Sequence, residues 1–237
     1  MFDYLLRLAD DRLVLGHRLS EWCGHGPILE EDIALANIAL DLIGEATALY
    51  KLAGEMEGKG RNEDALAYFR DAVDYRNALM VEFPKGDFAF TIVRQFFFSV
   101  YSLLQMEALA KSDNAELAGI AAKAVKENKY HVRHAAQWVV TLGDGTEESH
   151  ARTQRAVDAL WRYTGELFLA DDVDLNAQQL EAPWRAQVDE ILKRATLTAP
   201  AVGFMQRGGR EGKHTEHLGH MLAEMQIVAR SHPGASW

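Results

Sequence analysis

The sequence has a single cysteine, Cys23, among 237 residues. This excludes an internal disulfide framework and suits a reducing compartment. The N-terminus, MFDYLLRLADDRL, carries acids where a secretory signal needs basic residues and an unbroken apolar core. No run approaches the ~18 consecutive apolar residues of a membrane span. These absences predict a soluble cytoplasmic protein.

Basic charge is also in deficit, with 25 basic against 35 acidic side chains and a net charge of −10. This balance argues against nucleic acid as a general partner. Apolar residues make up 48% of the chain, which supports a proper core and excludes a disordered protein. The length fits one large domain, residues 1–237.

Strand signals are almost missing, and helical periodicity covers most of the chain. The predicted helices span residues 2–22, 27–57, 62–81, 88–111, 115–142, 147–169, 184–195 and 215–230. Residues 2–142 form two antiparallel helix pairs joined by a long crossover, residues 58–87. One long crossover between two hairpins predicts an all-α, ferritin-like four-helix bundle. The additional C-terminal helices, residues 147–237, would pack outside the bundle or against a partner.

Asp41 is the unusual residue of the second helix, in the stretch EEDIALANIALDLIGEATALY. The stretch is apolar nearly all round, which predicts a core helix packed on several sides. An ionised aspartate there is costly unless a metal ion or a cation pairs with it. The functional question therefore depends on the partner of Asp41.

A carboxylate-bridged di-metal bundle needs one acid from each of two helices and Glu-x-x-His from the other two. Residues equidistant from a hairpin turn lie at similar height. With turns centred between His25 and Gly26 and near Asp113, Asp41 faces Asp10, and Glu127 faces the aromatic helix near Ser99.

The ligand pattern fails in three places. The second helix has Gly44 where a histidine is needed, and the fifth has Tyr130, with His131 one position late. The aromatic helix has no carboxylate between Asp87 and Glu107. The sequence therefore predicts the carboxylate scaffold with its metal site erased, and no cofactor on this chain.

A cation could replace the metal charge. Our hypothesis is that one of three basic side chains, Arg94, Lys126 or Arg133, pairs with one of the three acids, Asp10, Asp41 or Glu127. The alternative is that Asp41 meets a buried hydroxyl and Arg94 is a surface residue. Two further metal interpretations, both weaker, are Glu127 with His131 and His134, and the series His214, His217 and His220.

A glycine-rich basic loop, GFMQRGGREGKHTEH, leads into the last helix. Its positive charges, Arg207, Arg210 and Lys213, adjoin a helix N-terminus, where free N–H groups favour anions. The phosphates of a nucleotide-bearing substrate would fit, as would the acidic surface of a partner. The segment Asp74-Tyr75-Arg76-Asn77 offers a ring, a guanidinium and an amide, which could hold an adenine and a phosphate.

Several long blocks carry a family resemblance: RLADDRLVLGHRLSEWCGHGP, EDIALANIALDLIGEA, VEFPKGDFAFTIVRQFF, AVKENKYHVRHAAQWV, LWRYTGELF and GGREGKHTEHLGHMLAEMQ. From about Arg7 to Trp237 the chain resembles the C subunits of the bacterial ring 1,2-phenylacetyl-CoA epoxidases. The resemblance implies a ferritin-like, non-catalytic subunit that pairs with a related catalytic A subunit holding the di-iron site. It also implies a small B subunit, a flavin and iron–sulfur reductase, and epoxidation of phenylacetyl-CoA with O₂.

The resemblance further suggests that the nucleotide end of the acyl-CoA touches this subunit. The matching positions are Asp74, Tyr75, Arg76, Asn77, Leu175, Asn176 and Ala177. Two other functions stay open. One is a self-sufficient di-metal oxidase or ferroxidase using Asp10, Asp41, Glu127 and His131, and the other is a CoA-ester binding protein that relies on the basic loop.

Overall fold

A computed structural model describes residues 1–174, 176–201 and 203–235, which form helices and connecting loops without a strand. The helices in chain order are α1 (Phe2–Ser20), α2 (Leu29–Glu57), α3 (Glu63–Tyr68), α4 (Phe88–Leu109), α5 (Ala115–Gly143), α6 (Glu147–Trp161), α7 (Glu181–Arg194) and α8 (Glu216–Ser231).

Four long helices form the bundle. The α1–α2 and α4–α5 hairpins each pack along their length, and α2 also lies against α5. Side-chain caps fix two of the helix starts: Asp87 accepts from the Phe90 amide and Asn114 from the Leu117 amide, each at 2.9 Å. The all-α, ferritin-like bundle with one long crossover is confirmed.

The helix predicted over residues 62–81 is wrong, since α3 ends at Tyr68 and only two short 3-10 turns follow it. The backbone N–H groups of Arg76, Ala78 and Leu79 instead donate to buried carboxylates, each at 2.7 Å. Because these tertiary hydrogen bonds satisfy the backbone, the segment does not need helical ones. Residues 70–82 of the crossover therefore form an irregular segment across α1, which we call the strap.

The C-terminal helices pack onto the bundle. Helices α6 and α7 lie against α4 and α5, and α8 lies against α3. Trp184 of α7 is 2% exposed, and its indole N–H donates to the Phe97 carbonyl oxygen at 2.8 Å. Helix α6 ends at Trp161, earlier than predicted, and a 3-10 turn (Thr164–Phe168) continues the chain.

Helix α2 is buried on only part of its surface. It is the one helix in the described chain that is long and apolar enough, by composition alone, to cross a membrane, and half of its apolar window is buried in the bundle. On its outer side Leu29 is 72% exposed, Ile33 52% and Leu40 67%. The expectation that α2 is packed on several sides therefore holds for one side only.

Candidate functional site

Arg12 lies at the centre of the four-helix bundle and is fully buried. Its Nε donates to Glu45 Oε2 at 2.6 Å, and its Nη2 donates to Ser102 Oγ at 2.8 Å. Its Nη1 donates to the Leu8 carbonyl oxygen at 2.9 Å. The guanidinium thus joins α1 to α2 and α4.

Asn128 of α5 completes the cluster. Its Nδ2 donates to Glu45 Oε1 at 2.9 Å and to the Ala124 carbonyl oxygen at 2.9 Å. Both oxygens of Glu45, which is 4% exposed, are therefore occupied. We call Arg12, Glu45, Ser102 and Asn128 the central cluster, since each comes from a different helix of the bundle.

The central cluster takes one side chain from each of the four bundle helices, as the ligand set of a di-metal centre does. Such a centre takes four carboxylates and two imidazoles from the four helices. The cluster instead supplies one carboxylate, one amide, one hydroxyl and a guanidinium. His131 follows Asn128 at the i, i+3 spacing of Glu-x-x-His, but an amide stands where the carboxylate is needed. These residues do not fit a di-iron centre.

Asp41 lies at the edge of the bundle, with its side chain 35% exposed, so its predicted burial in the core is wrong. Its Oδ2 lies 3.0 Å from His131 Nε2, and His131 itself is fully buried. One turn away Glu127 pairs with Lys123 at 3.4 Å. Gly44 is exposed, and a Cβ at this position would meet open space. The partner of Asp41 is therefore a histidine on α5 and not one of the predicted cations, Arg94, Lys126 and Arg133.

Burial raises the pKa of the Glu127 carboxyl above its usual value, with Asp41 and Glu45 adding to the shift and Lys123 opposing it. The folded state then binds a proton more readily than the unfolded chain, so ionisation of Glu127 lowers stability as pH rises. Glu127→Gln should raise the free energy of unfolding at pH 7. Chemical denaturation should show no gain in the free energy of unfolding below pH 4. An equal gain at pH 7 and below pH 4 would contradict a raised pKa for Glu127.

Arg94 is fully buried but does not pair with any of the three acids, so our hypothesis for it is wrong. Its Nη1 donates to the Phe83 carbonyl oxygen, and its Nε and Nη2 have no hydrogen-bond partner among the described residues. Burial, with a smaller contribution from the nearby Arg18, lowers the pKa of Arg94 to about 9. Lys126 and Arg133 also lie apart from the acids, since both are exposed and Arg133 stacks on Tyr130 with 5.7 Å from Cζ to the ring centroid.

Asp10 points to the crossover rather than to the bundle centre. It forms a bidentate ion pair with Arg70, accepts from the Tyr50 hydroxyl and accepts from the Arg76 amide at 2.7 Å. Burial and the adjacent Asp10 carboxylate raise the pKa of Tyr50 well above its ordinary value. Asp10 thus fixes the strap onto α1.

Arg210 of the glycine-rich loop forms a second buried bidentate pair, with Asp11 of α1, at 2.9 and 2.8 Å. Its side chain is 7% exposed, so it does not present its charge to a ligand. Arg207 and Lys213 are exposed, and Lys213 pairs with Glu211 at 2.6 Å. Within the loop, Arg207 alone stays available as a predicted contact for a phosphate or a partner.

The loop does bind anions, but they are carboxylates of this chain. Glu166 Oε1 accepts from the Gly208 and Gly209 amides at 2.7 and 2.8 Å. Glu82 accepts from the Thr215 amide at the start of α8 at 2.8 Å. The free N–H groups predicted to attract a phosphate are therefore used to attach the loop to the strap and to the turn after α6.

Comparison with known proteins decides the family. The profile of the phenylacetic acid catabolic protein family matches residues 1–237. The chain belongs to this family. It is also 46% identical, over 99% of its length and 98% of the relative, to the C subunit of 1,2-phenylacetyl-CoA epoxidase from Escherichia coli strain K12.

The residues predicted from the family resemblance to touch substrate lie in two different environments. In the strap, Tyr75 and Asn77 are fully buried and Asp74 is exposed. The Tyr75 hydroxyl donates to the Ala67 carbonyl oxygen and Asn77 Nδ2 donates to Glu82 Oε1 at 2.9 Å, so neither polar group faces solvent. The half-buried Arg76 donates to backbone carbonyl oxygens at 2.7 Å.

The second predicted segment borders a cavity of about 420 Å³ beside the N-terminus of α1. Asn176 and Ala177 line it, and Leu175 lies outside the described residues. Asp172 and Asp174 share the lining, which among the described residues includes no basic side chain. The acidic lining does not favour phosphates, and substrate contact at either segment stays a prediction.

Proposed function

We propose that this chain is a non-catalytic structural subunit of a multicomponent di-iron monooxygenase that epoxidises the ring of phenylacetyl-CoA during aerobic phenylacetate degradation. The observation that carries the proposal is the central cluster, in which the four bundle helices contribute a guanidinium, one carboxylate, a hydroxyl and an amide rather than a set of metal ligands. The similarity of nearly the whole chain to the C subunit of an epoxidase supports the same assignment.

The catalytic A subunit is the proposed partner, and the di-iron centre and its O₂ chemistry are assigned to that subunit. This chain stabilises the A subunit by covering its apolar surface, in a cytoplasmic assembly with the small B subunit and the reductase. A scaffold role needs a rigid fold more than an open site. The buried ion pairs of Arg12, Asp10 and Asp11 satisfy that need by joining helices, strap and loop.

The proposal predicts that the purified chain binds no iron above the buffer control after anaerobic reconstitution with ferrous iron, and that it consumes no O₂. Metal analysis of the chain alone, beside the catalytic subunit treated identically, measures this. Co-expression should give a stable complex of the two subunits. About two irons per chain would favour the self-sufficient oxidase, and a chain that binds phenylacetyl-CoA but not the A subunit would favour the CoA-ester binding protein.

A further inference from the structure

An apolar stripe runs along the outer side of α2. Leu29, Ile33 and Leu40 lie on it at helical spacing and are between half and three-quarters exposed. Gly44 continues the line, and its missing side chain leaves open space above the helix. The stripe spans about 22 Å at 1.5 Å per residue. It therefore offers a largely apolar surface, interrupted by the exposed Asn37 between Ile33 and Leu40, with a gap at Gly44 that lets another backbone approach closely.

The neighbouring helix α5 extends this surface with Tyr130, which is 38% exposed. Tyr130 packs on His134 at 5.9 Å between ring centroids, and His134 Nε2 lies 2.8 Å from Glu31 Oε2 of α2. The tyrosine is thereby held on the part of α5 that packs next to α2. An aromatic ring next to exposed aliphatic side chains is a composition that protein interfaces favour.

Three cations follow the same helix face: Lys126, Lys129 and Arg133. All three are exposed, and none forms an ion pair with any carboxylate in the described parts of the chain. Lys126 and Arg133 stand one turn on either side of Tyr130. On a chain with a net charge of −10, this basic rim is a local exception.

The distribution of charge on this surface indicates which kind of partner binds it. A second copy of this chain would present the same cations, so a symmetric contact would place like charges close together. An anionic membrane would attract the rim, but the exposed Glu30 and the half-exposed Asp41 beside the stripe would be repelled by its headgroups. A helix of another subunit with an apolar side and an acidic border satisfies both the stripe and the rim.

We propose that the α2 stripe, together with Tyr130 and the basic rim of α5, is the surface that docks an acid-bordered apolar helix of the catalytic A subunit. This inference rests on the proposed function, because it takes the A subunit as the partner. It adds the location and the chemistry of the interface. The stripe supplies the buried apolar area, and the rim supplies orientation and fast association.

The test measures binding of full-length variants to the purified A subunit of the same organism by isothermal titration calorimetry. Leu40→Glu and Ile33→Glu should each raise the dissociation constant by roughly thirtyfold or more. Ile227→Glu is the matched control, since Ile227 of α8 is 61% exposed and distant in sequence from the stripe. Lys126→Glu combined with Arg133→Glu should weaken binding by roughly tenfold at low salt and by less at high salt.

Hydrogen exchange on the wild-type complex gives a second measurement that does not depend on any variant, and it should protect residues 29–44 and 126–133. If the stripe variants and the control bound the A subunit equally, and these residues were not protected, the assignment of the interface to this surface would be wrong. The proposed scaffold role would be unaffected. No binding of wild-type chain to the A subunit would instead overturn the proposed function. If the wild-type chain self-associates and Leu40→Glu does not, the stripe binds a second copy of this chain. If the wild-type chain sediments with phosphatidylglycerol vesicles and Leu40→Glu does not, the stripe binds a membrane.

Discussion

Replacing Arg12 with methionine should lower the free energy of unfolding by about 3–5 kcal/mol, because it leaves the Glu45 carboxylate buried without its cation. For a chain of this size the melting temperature should fall by roughly 10 °C. Glu45 keeps only the Asn128 amide as a donor, at 2.9 Å. Differential scanning calorimetry and urea denaturation of the full-length chain measure the change.

Two variants show whether the cost arises from the unpaired charge. Arg12→Met combined with Glu45→Met should recover most of the loss, since a buried ion pair replaced by apolar residues of similar volume is often neutral. Arg152→Met removes an arginine whose pair with Glu148 on α6 is exposed, so it should change stability by less than about 0.5 kcal/mol. If the double variant were as unstable as Arg12→Met, the loss would come from packing.

Asp10→Ala should also lower the free energy of unfolding by about 3–5 kcal/mol, because here a buried cation loses its carboxylate partner. Removing the carboxylate leaves Arg70, which is 5% exposed, without an ionic partner. The Tyr50 hydroxyl and the Arg76 amide lose their acceptor at the same time. Equilibrium unfolding measures the total cost, and hydrogen exchange should show the largest loss of protection in the strap, residues 70–82.

Asp71→Ala provides the control within the same segment. Asp71 pairs with Arg230 at 3.0 Å, but its side chain is 75% exposed, so its removal should cost less than about 0.5 kcal/mol. A loss of stability in Asp10→Ala no greater than in Asp71→Ala would contradict the role of Asp10 as the anchor of the strap.

Helical periodicity was sufficient to predict the four bundle helices and the single crossover. It failed for the crossover itself, where apolar residues also recur at helical spacing. There the carboxylates of Asp10, Asp11 and Glu166 take the backbone donors. Those acids are distant in sequence, so no local pattern could reveal that tertiary hydrogen bonds would replace helical ones.

The central cluster was missed, although the sequence carries a signal for it. The buried stripe of α1 runs through Leu8 and Leu15, and Arg12 fills the gap between them at the right spacing. Glu45 does the same between Leu42 and Leu49 of α2. A charge at a core position on each of two paired helices predicts a buried ion pair better than a search for metal ligands does.

The prediction that Asp10 and Asp41 lie at similar height was also wrong, by about two helical turns. A symmetric first hairpin would set Asp10 beside Asp41, but Asp10 meets Tyr50, and Arg12 meets Glu45. The centre of the α1–α2 hairpin therefore lies C-terminal to the point between His25 and Gly26 that the prediction used. The predicted pairing of Arg94 was wrong, and the buried acids Asp10, Asp11 and Glu45 pair with Arg70, Arg210 and Arg12.

The ties between α1 and the last third of the chain have a consequence for synthesis. Asp11 is neutralised by Arg210 and Arg7 by Asp171, partners that leave the ribosome long after α1 does. Until then the first hairpin carries charges that its final position will bury. Long-range pairings of this kind delay completion of a fold. Nascent chains should therefore stay incompletely folded until residues 171–210 have emerged, so emergence of the four-helix bundle alone does not set the moment at which assembly can begin.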